Sequence, residues 1–307
     1  MKMFKYILLV AITSCSTTMI IGQADPSFRQ NQFNSLLLNP AQAGANSYDD
    51  VSVLASRSLV GFTGAPRTIT ASGNFRLFQN IGFATTALVD QIGPTKTTRG
   101  SVDFSYHLKL SNTWKMSIGL RGIASSVNVD LPSLSTTQQN DPHMTAGLAS
   151  GTLFDAGWGA LFYSKKLYFG VAQPRVGVTR YNQYTVTDYV QNRSVLSYVG
   201  ADLVLNNRMN FRPSLVVRYL KSNPLYIDVN AMFTYNKTID FGVMYQLNSN
   251  IGVMLGLELS KKMYVGYSYS YPTTTLNRIS TQGHELVLRL KFNQKSASKF
   301  QGPRFFN

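Results

Sequence analysis

From Val51 to Phe292 the chain alternates apolar and polar residues with period two, and helical periodicity is nearly absent. The stretch MYVGYSYSYP shows the pattern. Met263, Val265, Tyr267, Tyr269 and Tyr271 share one face of a strand, and Tyr264, Gly266, Ser268 and Ser270 share the other. In HELVLRLKF, Leu286, Leu288, Leu290 and Phe292 oppose Glu285, Val287, Arg289 and Lys291. In Leu225–Tyr235 the apolar face is Leu225, Ile227, Val229, Ala231, Phe233 and Tyr235, and the other face carries Asp228 and Asn230. Across strands the charged residues Arg218, Asp228, Asp240, Glu258, Glu285 and Arg289 all fall on the small polar face. A soluble sheet would turn that face to bulk water, where so many Gly and so few Lys are out of place. In a membrane barrel it is the lumen, where mixed charges pair, and the large apolar face meets lipid.

The spans predict about fourteen strands, an even number, and their lengths suit the roughly 9–11 residues that cross a bilayer on a tilt. Connections alternate in length. Ser111–Thr113, Ser164–Lys166, Asn206–Arg208, Tyr235–Lys237 and Ser260–Lys262 are tight. Ser58–Pro66, Gln91–Thr98, Asn128–Gly151, Pro174–Arg193 and Pro272–Gln282 are longer. Outer-membrane barrels segregate loops in this way, short turns in the periplasm and long loops outside. The expected fold is therefore all-β: a transmembrane antiparallel up-and-down β-barrel, in preference to a soluble β-sandwich. An even strand count puts both termini on the short-turn side.

Composition sharpens this picture. Only 14% of residues are charged, against roughly 25% in ordinary soluble domains. The net charge is +15, and Lys2 and Lys5 of the leader supply two of those charges, leaving +13. The basic residues are scattered singly between strands and form no basic helix, so anionic lipid or an acidic protein suits them better than nucleic acid. Residues 1–22 read as a cleaved signal peptide: basic at Lys2 and Lys5, apolar from Tyr6 to Ile12, with Gly22 before the expected cut. The rival reading lipidates Cys15. Cleavage after Gly22 leaves a mature chain without cysteine, which must be stabilised by its sheet. The expected organisation is a leader over 1–22, a periplasmic lead-in or hatch over 23–50, a barrel over 51–292 and a basic periplasmic tail over 293–307.

Candidate chemistry is sparse. Leu36–Gly44 (LLLNPAQAG) precedes the first strand, and Asn39, Pro40, Ala41 and Gly44 suit either a lead-in packed at the periplasmic mouth or a hatch folded into the lumen. A similar Asn-Pro-Ala stretch occurs in the hatch of fatty-acid-transporter barrels, which keeps a transporter of hydrophobic small molecules as the alternative. Phe62 and Pro66 in GFTGAPR, and Asp141 and Pro142 further on, are candidate partner loops. The three histidines, His107, His143 and His284, show no metal-ligand spacing, and there is no G-x-S-x-G. Ser105 and His107 share one strand face, a geometry that chance often produces, so catalysis is not expected. Asn128, Asp130, Asn140 and Asp141 lack the spacing of a known Ca²⁺ loop and read as turn chemistry. No cofactor is expected.

Several stretches, taken in order along nearly the whole mature chain, resemble the PorP/SprF family, outer-membrane proteins of the type IX secretion system of Bacteroidetes. They include QADPSFRQNQFNSLLLNPAQAGA, RSLVGFTGAPRTITASGNF, VDQIGPTKTT, VDFSYHLKLSNTWKMSIGLRG, VDLPSLSTTQQNDPHM, FRPSLVVRYLKSNPLYIDVNAMF and MYVGYSYSYPTTTLNRISTQGHELVLRLKF. The resemblance implies an outer-membrane barrel that helps export or anchor large secreted adhesin-like proteins, often alongside gliding machinery. It also implies contact with periplasmic ring components. It does not name the cargo. The tail NQKSASKFQGPRFFN looks like an addition to the family pattern.

Overall fold

The computed structural model describes residues 34–130, 149–177, 179–181, 189–191, 194–220, 225–274 and 282–293. The leader, Cys15, Asp141, Pro142, His143 and the tail beyond Asn293 lie outside them. Fourteen antiparallel strands close into one barrel. They are β1 Asp49–Ser58, β2 Arg67–Arg76, β3 Ile81–Ile92, β4 Thr95–Lys109, β5 Lys115–Val129, β6 Ala149–Tyr163 and β7 Leu167–Gln173, followed by β8 Ser194–Ala201 with its continuation Leu203–Val204. Then come β9 Met209–Leu220, β10 Tyr226–Tyr235, β11 Ile239–Gln246, β12 Asn250–Ser260, β13 Met263–Pro272 and β14 Gly283–Phe292. Each strand pairs with its sequence neighbours, and β1 closes on β14 with Asp49 opposite Phe292 and Ser58 opposite Gly283. A small hairpin, Thr179–Tyr181 with Tyr189–Gln191, stands apart between β7 and β8.

The two faces separate as alternation requires. On β14, Leu286, Leu288, Leu290 and Phe292 point outward and exposed, while Glu285, Val287, Arg289 and Lys291 are buried inside. On β13, Tyr264, Gly266, Ser268 and Ser270 are the inward set, and Tyr267 and Tyr271 are exposed outside. This answers the ambiguity of that strand: its large residues meet the surroundings and its small ones meet the interior, as in lipid.

The end of the barrel that carries Asp49 and Asn293 has only tight connections, at 77–80, 110–114, 164–166, 205–208, 236–238 and 261–262. We call it the terminal end. The opposite, distal end departs from the expected uniform length. Gln91–Thr98 is not a long loop: β3 runs to Ile92, β4 starts at Thr95, and only Gly93-Pro94 connects them. Gly93 takes a φ of 56°, the positive value a two-residue hairpin turn needs at its first central position. The distal connections at 221–225 and 247–249 are short as well. The long ones, 59–66, 130–148, 174–193 and 273–282, carry the asymmetry alone.

Strand length is uneven around the wall. β4, β5 and β6 have 15 residues each, whereas β7 has 7. At ~3.3 Å per residue and a tilt of ~40°, the long strands rise ~38 Å, beyond the ~25 Å apolar band of an outer membrane. The β7 strand rises only ~18 Å by the same arithmetic. One side of the wall therefore projects past the bilayer at the distal end.

Candidate functional site

The lumen is filled from within. Residues 34–48 enter it ahead of β1 as two short 3-10 turns, Ser35–Leu37 and Pro40–Gln42. The local sequence builds the second turn. Pro40 occupies its first position, where a missing N–H costs nothing, and Asn39 Oδ1 accepts from Ala41 N at 2.8 Å as the cap. Ala43 N then closes the turn on Pro40 O at 3.1 Å. Small side chains let this backbone approach the wall. Gly119 on β5 has no room for a Cβ, which would lie 2.6 Å from Ala41 Cα. Gly44, at a φ of +61°, turns the chain against Gly82 on β3.

Wall side chains satisfy the segment's polar groups. Asn39 Nδ2 donates to Ala160 O and to the Tyr198 hydroxyl, both at 3.0 Å, and Gln42 Nε2 donates to the same hydroxyl at 2.6 Å. Gly44 N donates to Asn74 Oδ1 at 2.6 Å, and the Arg76 guanidinium donates to Gly44 O. Arg121 donates to Leu36 O and Leu37 O while its other edge grips Asp103 at 2.6 and 2.7 Å. The four positions singled out in the sequence, Asn39, Pro40, Ala41 and Gly44, are thus all buried inside the barrel.

Ser105 and His107 do come together, with Ser105 Oγ and His107 Nε2 3.0 Å apart. Their chemistry is occupied. Ser105 Oγ donates to Ala43 O at 2.6 Å, and His107 Nε2 lies 2.8 Å from the same carbonyl. Nε2 must carry the proton to donate there, and Nδ1 then accepts from the Tyr163 hydroxyl at 3.0 Å. An imidazole protonated at Nε2 cannot take the serine proton, and no nitrogen is left for an orienting acid. The pair is a clamp on the hatch backbone.

The six charged positions read from alternation all face inward. Asp240 pairs with Arg212 and accepts from Thr234 Oγ1 at 2.6 Å and from the Tyr264 hydroxyl at 3.1 Å. Glu258 takes Lys291 Nζ on both oxygens, at 2.7 and 2.8 Å. Arg289 Nε lies 3.7 Å from Asp50 Oδ2, and Glu285 accepts from Ser56 Oγ at 3.1 Å. Arg218 stacks over the Tyr226 ring at 5.4 Å, and Asp228 is fully buried. The partners Asp50, Asp103, Arg121 and Arg212 escaped the sequence reading, although their strand parity marks them as inward. The lumen is also less polar than Gly, Ser, Asn and charges alone would make it. Leu54, Leu88, Met232, Met244, Met254, Tyr264 and Val287 form a buried cluster there, with Leu37 of the hatch against it.

Phe62 is half-exposed at the tip of the 59–66 loop, and Pro66 is partly covered. The loop is fixed rather than free: Phe62 N bonds to Leu59 O, Ser58 N to Pro66 O, and Gly93 N to Gly64 O at 2.9 Å. Among the described residues no group of three or more His, Cys, Asp or Glu is placed to hold a metal.

Among solved structures, the fold resembles the toluene transporter TbuX of Ralstonia pickettii, at 11% identity and a TM-score of 0.51, covering 84% of this chain and 94% of that one. It also resembles the CymD monoaromatic hydrocarbon channel, at 13% identity and a TM-score of 0.50, covering 90% and 96%. At such identities the likeness concerns the barrel alone, and it places the chain among outer-membrane barrels. No curated protein matches the sequence. Residues 20–290 match the family described as type IX secretion system membrane protein PorP/SprF, and with an outer-membrane barrel over Asp49–Phe292 the chain belongs to that family.

Proposed function

We propose that this outer-membrane barrel of type IX secretion is a scaffold that assists export or surface anchoring of large adhesin-like proteins, acting through its two ends rather than its bore. The observation that carries this reading is the filled lumen. Among the described residues, a cavity between hatch and wall, lined by Leu37, Leu38, Arg121 and Arg218, has a volume of about 60 Å³. Small-molecule sites run to ~300–1,000 Å³, so a cavity of this size among the described residues speaks for the scaffold over the alternative, transport of hydrophobic molecules.

The ends are suited to partners. If the terminal end faces the periplasm, its turns present Lys109, Lys165, Lys166, Arg208, Lys237, Lys261 and Lys262, all exposed. Such a rim fits an acidic surface of the secretion ring or the anionic headgroups of the inner leaflet. Residues 293–307 add further basic charge, and cleavage after Gly22 would free the hatch to enter the lumen. At the distal end the β4–β6 crest and the fixed loop bearing Phe62 would meet the secreted protein, together with the segment holding Asp141 and Pro142.

The test is affinity purification of the tagged protein from native outer membranes, together with a deletion strain. Co-purification of periplasmic secretion components and of one large surface protein is expected, with that protein lost from the surface of the deletion strain. Normal display of every type IX cargo in the deletion strain, with impaired uptake of an aromatic hydrocarbon, would overturn the scaffold reading in favour of transport.

A further inference from the structure

We infer that the outer flank of β1, β2 and β4, near the distal end, is a docking surface for the phosphate groups of an outer-leaflet glycolipid of the lipid A type. The inference rests on the proposed function only for its orientation, with the terminal end in the periplasm. The outward face changes character along one line of the wall. Arg57 on β1 lies opposite Arg67 on β2 and opposite His284 on β14, and His284 lies opposite Tyr269 on β13. Arg67 in turn lies opposite Gln91 on β3, and Gln91 opposite Lys96 on β4. Toward the terminal end the outward positions at once become apolar: Val53 and Ala55 under Arg57, Ile69 and Ala71 under Arg67, Leu286 and Leu288 under His284. Arg57, Arg67 and Lys96 are all exposed. Arg67 Nε donates to Gln91 Oε1 at 3.0 Å, a neutral partner, and among the described residues the side chains of Arg57 and Lys96 make no hydrogen bond or ion pair. Among the described residues the carboxylates of the distal half face the lumen, except Asp130, which follows the end of β5 on the far side of Lys96 from the arginines.

Depth identifies the layer these cations meet. Arg57 is eight residues up β1 from Asp49, and Arg67 nine residues up β2 from Arg76. At ~3.3 Å per residue and a tilt of ~40°, they stand ~20 and ~23 Å above the terminal end, at the upper edge of a ~25 Å apolar band. Their stems lie along hydrocarbon while their guanidinium groups reach the headgroups. Like charges directly opposite on paired strands repel, and an anion held between them reverses the sign of that interaction. The paired N–H donors of two guanidinium groups match the several oxygens of one phosphate. Lys96 is thirteen residues up β4 from Lys109, or ~33 Å by the same arithmetic, so it adds charge ~10 Å higher. A phospholipid carries its phosphate at one depth. A phosphorylated glycolipid extends polar and anionic groups above the hydrocarbon edge, and so spans the heights of both arginines and the lysine. The line lies on the flank of the barrel with the apolar belt continuing below it, where lipid is the adjoining molecule and a soluble acidic protein would have to reach down to the bilayer surface.

The test uses the full-length folded barrel in detergent, titrated with phosphorylated lipid A, with lipid A stripped of its phosphates, with phosphatidylglycerol and with a short glutamate-rich peptide. Bound molecules are counted by native mass spectrometry, and modification of arginines by phenylglyoxal is mapped in parallel. Phosphorylated lipid A is expected to bind at least tenfold more tightly than the stripped form, and to protect Arg57 and Arg67 while leaving the exposed Arg208 of the terminal end reactive. An Arg57→Gln, Arg67→Gln variant that keeps the folded gel mobility should lose at least tenfold in that affinity, and Lys165→Gln, Lys166→Gln at the terminal end should lose none. Equal binding of the two lipid A forms, or equal protection of Arg208, would overturn the inference. So would phosphatidylglycerol binding the line as tightly, which would make it a general anionic-lipid surface, or the peptide displacing lipid A from it, which would assign it to an acidic protein. The wild-type protection pattern decides the matter even if the variant fails to fold. Because no secretion step enters these measurements, their failure leaves the scaffold reading standing, and failure of that reading leaves the lipid contact standing.

Discussion

The facing of β14 can be tested by moving one cation along it. Leu288 and Phe292 are both outward, at 39% and 42% exposure, on the strand that seals the barrel against β1. In register, Leu288 lies between Val53 of β1 and Val265 of β13, so it sits in a continuous apolar belt. The strand runs from Gly283 to Phe292, which puts Leu288 beside its centre and Phe292 at its end. Four residues at ~3.3 Å each, on a tilt of ~40°, separate the two by ~10 Å of depth. The apolar band is ~25 Å tall, so a cation at 288 sits near its middle and one at 292 near its edge. Arginine costs ~2–4 kcal/mol at mid-depth and ~0–1 near the interface. Leu288→Arg should therefore lower the folded-to-unfolded ratio by roughly 30- to 900-fold, and Phe292→Arg by about fivefold or less, at ~1.4 kcal/mol per factor of ten. The assay is urea unfolding in phospholipid vesicles, read by the heat-sensitive gel mobility of the folded barrel. Equal losses at the two positions, or a larger loss at Phe292, would refute the lipid-facing assignment.

Other perturbations probe the interior. Arg289→Leu should cost ~1–3 kcal/mol, because it strands Asp50 in the lumen with the Asn46 amide, 2.9 Å away, as a remaining donor; adding Asp50→Asn should recover more than half, measured by a double-mutant cycle in urea. Gly119→Val drives a side chain into Ala41 and should cost ~1–3 kcal/mol by overpacking, leaving the barrel folded but loosening the hatch; a single cysteine at Ala43→Cys should then react with maleimide at least tenfold faster, and unchanged reactivity would count against the packing. Removing residues 294–307 should preserve the folded gel mobility while weakening cross-links to periplasmic partners, and an unchanged cross-link profile with normal secretion would deny the tail a binding role.

Much of this barrel is legible along the chain, because strand alternation is a local property. Glu285, Arg289 and Leu288 can be assigned to their faces from nearest neighbours alone. The Gly93-Pro94 hairpin was harder to see. Thr95, Lys96, Thr97 and Thr98 look like a polar loop, yet they continue β4 beyond the membrane, where outward positions have no lipid to face. A hatch at Asn39–Gly44 was one of two readings the sequence left open, but the side chains that pack around it were not legible. Met232, Met244 and Met254 sit on the polar face of their strands and cover one another only once the barrel closes. Ser105 and His107 announced their pairing by spacing, but the carbonyl that occupies them comes from Ala43, more than sixty residues earlier. Such contacts depend on closure and on register, which no short window of sequence contains.

The inward polar residues now carry a different meaning from the one alternation suggested. A stretch of chain that is neither long helix nor strand can lie at membrane depth only if its backbone donors and acceptors find partners. Residues 34–48 are such a stretch, and the wall supplies Asn74 and Arg76, Ser105 and His107, Arg121 and Tyr198 at the places where their polar groups emerge. The polarity of these residues thus serves the hatch backbone and side chains. Each neutral bond of this kind contributes ~0.5–1.5 kcal/mol, and each one from a guanidinium ~1.5–3. Withdrawing the hatch would strand all of them at once, along with Leu36 and Leu38. A partner that supplied replacement contacts at one end of the barrel would offset that loss, in keeping with the proposal that the ends rather than the bore carry the function.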